Sequence, residues 1–380
     1  MSVQLRDVTA LMDTWYPPAT ADGWDAVGLV CGDPEQPVRR IMLAVDPAPA
    51  VVEEAVEWDT DLLVVHHPLL LKAVHGVAAT TPKGRTVHRL ISSGCGLFAA
   101  HTNADAPTKG VNESLALALG ITDPQVIVPD PSDPLDKLVT FVPHENAEDV
   151  REAITKAGAG RLGDYDSCTF TTEGQGRFRP LGGATPAIGR VGEVEVVAEA
   201  RVEAVVPRAR RRQVLEALRA VHPYEEPAYD VIELADVPGA GTSARGSGRI
   251  GRLREPMTLR AFAEHVATVL PQTAHGVRAG GDPDRLIETV AVTSGAGDFL
   301  LDTVLGTDAD VYVTSDLRHH RASEFIEHGG PALVDVSHWA AEWTWLPVLE
   351  RSLVEAFGDE GDTVDVRVST TCTDPWTFRP

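Results

Sequence analysis

The spacing of apolar residues predicts alternating helices and strands along the first part of the chain. Apolar positions recur at helical spacing from Val8 to Trp15, and Pro17 ends this pattern. Short, continuous apolar runs predict buried strands at Ile41–Asp46, Leu62–Val65 and Leu97–Ala100. Helices are predicted at Val51–Val56, between the first two strands, and at Val111–Leu119. A strand, a helix and a strand at this spacing form a βαβ unit, which implies a parallel sheet.

The composition changes at residues 129–134, where a Pro-Asp-Pro-Ser-Asp-Pro run predicts a linker. Beyond it the pattern predicts the order β-α-β-β-α-β, which is typical of a ferredoxin-like domain. The predicted strands cover residues 137–142, 168–171, 193–205 and 229–234, and the predicted helices cover residues 147–156 and 208–220. Residues 237–248 are rich in Gly, Ser and Pro and predict a second linker. We therefore expect residues 130–245 to form an α+β domain inserted into another domain.

The chain after this insertion repeats the order of the first segment. Strands are predicted at Val290–Ser294 and Asp310–Thr314, with a loop and a helix between them, and His319-His320 follows the second strand. Two similar α/β halves, residues 1–129 and 246–380, would bring their strand ends to one crevice. The expected fold class is α/β, with two similar halves of one core and an inserted ferredoxin-like domain.

Composition narrows the classes of protein. A chain of 380 residues is long enough for more than one domain, and 43% hydrophobic with 23% charged residues is typical of a globular protein. The formal net charge of -23 argues against binding to nucleic acid or to anionic membranes. The four cysteines form no Cys-x-x-Cys pair, which argues against a zinc ribbon or a disulfide scaffold. The sequence shows no signal peptide or membrane-spanning run, and we expect a cytoplasmic protein.

Candidate chemistry begins at the ends of two predicted strands. His66 and His67 follow one strand, and both can reach one site only if the strand ends there, which Pro68 favours. His101 and Asp105 follow the next strand in the same way. Taken singly, such residues are more often capping, surface or turn residues. Their shared position after a strand end is what favours a functional site.

A second candidate group follows the predicted strand Ala332–Asp335. His338 and Glu342 are four residues apart, so they lie on one face of a helix, one turn apart, if the segment is helical. This spacing lets an imidazole nitrogen and a carboxylate bind one metal ion. The alternative is an ordinary surface His–Glu pair on an amphipathic helix.

Together these groups offer three imidazoles and two carboxylates, from His66, His67, Asp105, His338 and Glu342. One ion needs about four ligands, which leaves a surplus for a second ion if one carboxylate bridges. Nitrogen and oxygen ligands without a thiolate suit Zn, Mn, Fe or Co and do not distinguish among them. Mg and Ca prefer sites made of oxygen alone. The residues therefore predict two divalent metal ions per chain.

Several motifs occur in the order in which one known family has them. They are WDAVGL at Trp24–Leu29, HHPLLLK at His66–Lys72, HTNAD at His101–Asp105 with Gly110–Asn112 after it, TSDLRHH at Thr314–His320 and SHWAAE at Ser337–Glu342. Over nearly its whole length the chain resembles the Nif-three-like proteins, also known as GTP cyclohydrolase I type 2 homologues. The passages Gly163–Cys168 and His222–Pro227 resemble signatures of that family's optional middle domain, which is similar to the PII and CutA signalling-protein fold.

The resemblance implies a dinuclear metal site in a toroidal homohexamer, with the sites facing an internal cavity. The positions that match its metal ligands are His66, His67, Asp105, His338 and Glu342, with Glu342 as the bridge. His101, Asp316 and His320 match positions close to the metals and are candidates for proton transfer. Many members have Asn where Ala26 stands and Gly where Ser337 stands, and neither departure removes a ligand.

Three classes of function remain open. The first is a metal-dependent hydrolase, in which two ions activate a water and His101 or His320 moves protons. Cyclohydrolase chemistry on GTP is the member that the family name carries, although the chain has no glycine-rich phosphate loop. The second is a metal-binding regulator or metal carrier whose middle domain senses a small molecule or a partner. The third is an iron site that handles electrons or oxygen.

Overall fold

The apolar patterns fold into a mixed α/β protein in the computed structural model. The structure describes residues 3–130, 134–163, 165–235, 245–358 and 364–380. None of the helices in these ranges combines the length and the apolar content that crossing a bilayer requires.

The chain divides into two compact units. The large unit comprises Met1–Asp130 together with Ser243–Pro380, and the small unit comprises Pro131–Thr242. The helices of the described chain are α1 Leu5–Trp15, α2 Pro49–Glu57, α3 Pro82–Ser93, α4 Thr102–Asp105, α5 Val111–Ala118, α6 Ala147–Lys156, α7 Arg211–Val221, α8 Leu259–Val269, α9 Leu301–Val304, α10 His319–Glu327, α11 His338–Trp343 and α12 Leu346–Phe357. Its strands are β1 Gly28–Cys31, β2 Arg40–Ala44, β3 Leu62–Val65, β4 Gly96–Ala99, β5 Ile121–Pro129, β6 Leu135–Pro143, β7 Thr169–Phe178, β8 Glu195–Pro207, β9 Tyr229–Glu233, β10 Gly246–Thr258, β11 Arg278–Gly280, β12 Leu286–Ala296, β13 Val311–Ser315, β14 Ala332–Val336 and β15 Asp365–Val368.

The first sheet of the large unit has the strand order β1-β4-β3-β2-β15. Strands β2, β3, β4 and β15 run parallel, and β1 is antiparallel to β4. The βαβ unit predicted from Ile41 to Val65 is thereby confirmed, because β2 pairs with β3 in parallel register. All four residues of β3 are buried, which explains a continuous apolar run instead of alternation.

The second sheet of the large unit has the strand order β11-β14-β13-β12-β10-β5. Strands β12, β13 and β14 run parallel, and the other strands pair antiparallel with their neighbours. The first segment of the chain supplies β5 to this sheet, whereas the last segment supplies β15 to the first sheet. Each sheet therefore contains one strand from the other segment.

One apolar core joins the two sheets. It contains Leu43 and Val64 from the first sheet, Val292 and Val313 from the second, and residues of α1, α5, α8 and α12. Burial of an aliphatic side chain of this size stabilises the fold by about 1.5–3 kcal/mol. This core holds the carboxyl ends of the parallel strands of both sheets in place.

The first predicted linker overlaps a strand. Pro129, the first residue of the predicted linker at 129–134, is the last residue of β5. Because β5 lies at the edge of its sheet, a proline there removes no hydrogen bond to a further strand. Residues 131–133 lie outside the described residues.

The second predicted linker, residues 237–248, is wrong at its end, because β10 begins at Gly246. At this end of the segment glycine is required because two strands pack closely. A Cβ at Gly246, where φ is +151°, would lie 2.2 Å from the carbonyl oxygen of Val128 in β5. Residues 236–244 lie outside the described residues.

The small unit has its elements in the order β6-α6-β7-β8-α7-β9, apart from two short 3₁₀ turns. Its antiparallel sheet has the strand order β7-β8-β6-β9. Helices α6 and α7 cover one face of this sheet, where Val202 and Ala204 pack with Val150 and Leu218. The helix predicted at 208–220 begins as a 3₁₀ turn, and the α-helix starts at Arg211.

Candidate metal centre

Side chains at the carboxyl ends of parallel strands converge on one cluster in the large unit. His66 and His67 follow β3, His101 follows β4, and His338 follows β14. Ligand atoms of His66, His67 and His101 lie within 4.8 Å of one another, and so do those of His67, His338 and Glu342. His67 belongs to both groups, so the two groups form one continuous site.

Glu342 lies at the centre of the cluster and is buried. Its Oε1 is 2.9 Å from His338 Nε2 and 3.4 Å from His66 Nε2. Its Oε2 is 3.1 Å from His67 Nε2. The two oxygens thus face different imidazoles, which is the arrangement that a bridging carboxylate requires. Asp105 completes the cluster, with Oδ1 3.7 Å from His66 Nε2.

Two buried carboxylate oxygens in this cluster accept no hydrogen bond. They are Asp105 Oδ1 and Glu342 Oε2. A buried acceptor without a partner destabilises a protein by about 1–3 kcal/mol, and more when it is charged. A divalent cation would compensate both oxygens, and the imidazole and carboxylate donors suit such an ion. The residues present therefore fit a bound metal.

Each imidazole of the cluster is oriented by a hydrogen bond at its Nδ1. The acceptors are Asp46 for His67 at 2.7 Å, Asp25 for His101 at 2.8 Å, Asp316 for His338 at 2.7 Å and the carbonyl oxygen of Ala100 for His66 at 2.9 Å. An acceptor on Nδ1 keeps the proton there and leaves the Nε2 lone pair free for a metal. This pattern is typical of metal-binding histidines.

Sequence reasoning assigned no role to Asp25 or Asp46. Asp46 lies two residues beyond the end of β2 and is the last residue of the strand predicted at Ile41–Asp46, and this position at a strand end was the available signal. Thr373 donates a hydrogen bond to the second oxygen of Asp46. The amide and the hydroxyl of Thr102 donate to Asp25 Oδ2 at 3.1 and 2.6 Å. Both carboxylates are therefore fixed in the orientation that holds their histidines.

The loop that carries Asp105 is anchored to the second sheet. Asn112 donates to the carbonyl oxygen of Asp105 at 3.0 Å, and its own oxygen accepts from the amide and the hydroxyl of Ser294. Arg249, which is only 1% exposed, donates to the carbonyl oxygen of Ala106 at 2.6 Å. Two buried polar side chains thus set the position of this candidate ligand.

The helix α11 places His338 and Glu342 on one face, one turn apart, as their spacing predicts. Ser337 caps this helix, because its hydroxyl oxygen accepts from the amide of Ala340 at 3.2 Å. The same hydroxyl donates to Asp374. The serine at this position therefore stabilises the start of the helix that carries the two candidate ligands.

Carboxylates control protonation in the cluster. Burial alone would lower the pKa of His66, His67 and His338, but Glu342 and a second carboxylate at each ring together raise all three, that of His338 to about 10. The second carboxylates are Asp105 at His66, Asp46 at His67 and Asp316 at His338. Burial alone would raise the pKa of Glu342, but the three imidazoles hold it well below its usual value. Burial raises the pKa of Asp105 to about 7, against the opposing effect of His66.

The three predicted proton-transfer residues occupy different surroundings. His101 joins His66 and His67, and burial together with His66 lowers its pKa. Asp316 faces His338 and orients it. Neither group of converging ligand atoms includes His320, which is exposed in the first turn of α10 with its ring against that of His319. The structure thus brings two of the three to the cluster.

Substituting Asp316 with Asn is expected to lower metal affinity by about 10–100-fold. The amide cannot supply the negative charge that holds the Nδ1 proton of His338, and Asn tolerates the φ of +57° at this position as Asp does. Competition with a chromophoric chelator measures the change. Asp302→Asn is the control, because Asp302 is exposed and pairs with Arg321. Unchanged affinity in Asp316→Asn would show that this carboxylate does not support the ligand.

Comparison with known proteins gives consistent relatives along the whole chain. A sequence model of the family Duf34/NIF3 (NGG1p interacting factor 3) matches residues 3–375. A Mycobacterium tuberculosis protein named GTP cyclohydrolase 1 type 2 homolog is 52% identical over 377 residues, which are 99% of this chain and 97% of that protein. A Bacillus subtilis protein of the same name is 38% identical over 377 residues, which are 99% of each chain.

Solved structures agree with these relatives. A Bacillus cereus protein related to NIF3 superposes with a TM-score of 0.83 at 34% identity, covering 100% of both chains. A Staphylococcus aureus protein superposes with a TM-score of 0.82 at 29% identity, covering 100% of this chain and 99% of its own.

Proposed function

The chain belongs to the Duf34/NIF3 family, and on this premise we propose that it binds two divalent metal ions and acts as a metal-dependent hydrolase. The observation that carries this proposal is the pair of buried oxygens on Asp105 and Glu342 that accept no hydrogen bond, among imidazoles whose Nδ1 atoms each have an acceptor. Without a metal these two buried oxygens would have no hydrogen-bond partner, which is unfavourable for a buried acceptor.

In this proposal His66, His67, Asp105, His338 and Glu342 would hold the ions, and Glu342 would be the bridging residue. Zn, Mn, Fe and Co all suit this set of nitrogen and oxygen donors. Bound ions would supply Lewis acidity that lowers the pKa of a water and polarises an electrophile.

His101 is the residue best placed to move a proton. Its lowered pKa keeps the imidazole neutral near pH 7, so its Nε2 can accept a proton. Asp25 Oδ1 accepts a hydrogen bond from His101 Nδ1 at 2.8 Å and would stabilise the imidazolium that forms. Asp316 acts through His338 as a positioning residue, and a role for His320 remains a prediction.

We propose a planar heterocycle as the substrate class, with GTP as the first compound to test. The relatives are named for GTP cyclohydrolase, which opens a purine ring with water. Trp24 is 58% exposed, and its ring lies 5.8 Å from that of His101 in an edge-on arrangement. An exposed indole beside a proton acceptor offers a planar substrate an apolar surface to stack on.

We also propose the domain organisation and assembly that the sequence predicts. Residues 130–245 would form a ferredoxin-like domain of PII and CutA type between the segments 1–129 and 246–380, and six chains would form a toroid. The strand order of the small unit supports the first proposal. Exposed Trp376 and Phe378 offer apolar surface for contacts between chains in the toroid.

Light scattering should give six times the chain mass of 40.7 kDa, and a monomer would contradict the toroid.

The function is tested by measuring metal content on protein purified without added metal or chelator. We expect about two ions per chain, and loss of the purine absorbance of GTP when the loaded protein is added. Two bound ions without turnover of GTP or related heterocycles would favour the metal carrier or regulator. Iron with visible absorbance would favour a redox site. No binding after addition of Zn, Mn and Fe would show that the ligand assignment is wrong.

A further inference from the structure

The small unit contains a cavity of about 860 Å³ that is lined entirely by its own residues. The strands β7 and β8 and Phe141 of β6 form its floor, and the loops Pro180–Ile188 and Tyr224–Ala228 contribute to its walls. Cavities that bind small organic ligands typically measure about 300–1,000 Å³. The volume therefore suits a small molecule, and the side chains on the floor indicate its chemistry.

Strand pairing shows which side chains share the floor. Ala200 and Val202 of β8 pack in the core with α6 and α7, so Glu199 and Arg201 point to the opposite face. On β7, Gly174 pairs with Glu199 and Thr172 pairs with Arg201. Glu199 and Arg201 are the charged residues of β8 that line the cavity, and its other charged lining residues are Glu173, Arg177, Arg179, Glu225 and Glu226.

Arg201 and Glu199 differ in whether a side chain of opposite charge pairs with them. Arg201 pairs with Glu203, which does not line the cavity, at 2.9 Å. Glu199 is only 6% exposed, and within the described residues it forms no ion pair. Its Oε1 accepts a hydrogen bond from the hydroxyl of Tyr224 at 2.8 Å. A cationic ligand would bind favourably at this buried carboxylate, because a buried charge is destabilising unless an opposite charge pairs with it.

Aromatic rings and glycines form another part of the lining. The rings of Phe178 and Tyr224 meet edge-on at 5.6 Å, and Phe141 lies on the same face. A Cβ at Gly176 would lie 1.9 Å from Glu199 Oε2, so only glycine leaves the carboxylate where it is. A Cβ at Gly174 would meet nothing within 4 Å, so the space above it belongs to the cavity.

We propose that this cavity binds a small organic cation, with an amidinium or amine head group on Glu199 and an aromatic body against the rings of Phe141, Phe178 and Tyr224. An N–H donor that pairs with a buried carboxylate forms a charge-assisted hydrogen bond. Stacked or edge-on aromatic contacts would hold the body of the ligand. This binding is independent of the proposed metal chemistry.

Three ligands of one shape and different charge test the proposal on the full-length protein by calorimetry. They are benzamidine, which is cationic, benzamide, which is neutral, and benzoate, which is anionic. We expect benzamidine to bind at least about tenfold more tightly than benzamide, because only the cation pairs with Glu199. Benzoate should bind more weakly than benzamide.

Variants locate the binding. Glu199→Gln keeps the shape of the side chain and should remove the preference for benzamidine over benzamide. Gly174→Leu should weaken the binding of both benzamidine and benzamide, because the new side chain occupies the cavity without a clash at its Cβ. Glu152→Gln, an exposed residue of α6, is the control and should bind as the natural protein does. Circular dichroism establishes that each variant is folded.

Three results would overturn the proposal. They are tighter binding of benzoate than of benzamidine, an unchanged benzamidine preference in folded Glu199→Gln, and binding of none of the three ligands. The first would show that the ligand is an anion held by an arginine of the lining, Arg177, Arg179 or Arg201.

Discussion

Replacing Glu342 with Ala is expected to lower the metal content from about two ions per chain to one or fewer, and to lower any hydrolysis by at least about 100-fold. Glu342 is the only one of the five proposed ligands whose oxygens face three imidazoles, at 2.9, 3.1 and 3.4 Å. Its removal takes away the proposed bridge and the negative charge that balances His66, His67 and His338. Elemental analysis of protein purified without added metal measures the loss.

The same substitution should change protonation in the metal-free protein. Because Glu342 raises the pKa of His66, His67 and His338 against the effect of burial, its removal should lower all three. Titration by NMR would report this shift separately from metal content. Glu355→Ala is the control, because Glu355 is exposed on α12. Full occupancy by two ions in Glu342→Ala would show that another residue bridges them.

Replacing Gly295 with Ala is expected to lower metal affinity by about tenfold or more, because the new methyl group would displace two ligands. A Cβ there would lie 2.8 Å from Glu342 Oε1 and 3.3 Å from His338 Nε2. Gly295 also has a φ of +65°, in the left-handed region, where a side chain costs about 1–2 kcal/mol. The variant should therefore be both less stable and weaker in metal binding.

Gly329→Ala separates these two effects. Gly329 has a similar φ of +74°, but a Cβ there would meet nothing within 4 Å. Both variants should therefore unfold at lower temperature in the metal-free state, and only Gly295→Ala should bind metal more weakly. Equal metal affinity in the two variants would mean that the ligands move aside and that no steric constraint exists at Gly295.

Local pattern in the sequence was sufficient to predict the buried parallel strands and the segments that carry the proposed ligands. The run Leu62–Val65 is a strand with the predicted bounds, and His338 and Glu342 lie on one helical turn. These features depend on residues within a few positions of one another, through the periods of strand and helix. The parallel pairing of β2 with β3 was also predictable, because the two strands are consecutive and are connected by the single helix α2.

Features that depend on residues far apart in the sequence were decided by tertiary structure. Asp25 supports His101 from 76 residues away, and Thr373 donates to Asp46 from 327 residues away. The exchange of β5 and β15 between the sheets, and the strand that begins at Gly246, follow from partners that no local pattern reveals.

The sequence by itself thus determined which residue types stand at the strand ends, because strand and helix periods are local properties. Only the tertiary structure placed Glu342 among three imidazoles, joined His101 to His66 and His67, and left His320 exposed outside both groups. The physical reason is that packing two sheets on one apolar core sets the distances between these side chains, and that packing is a property of the whole large unit.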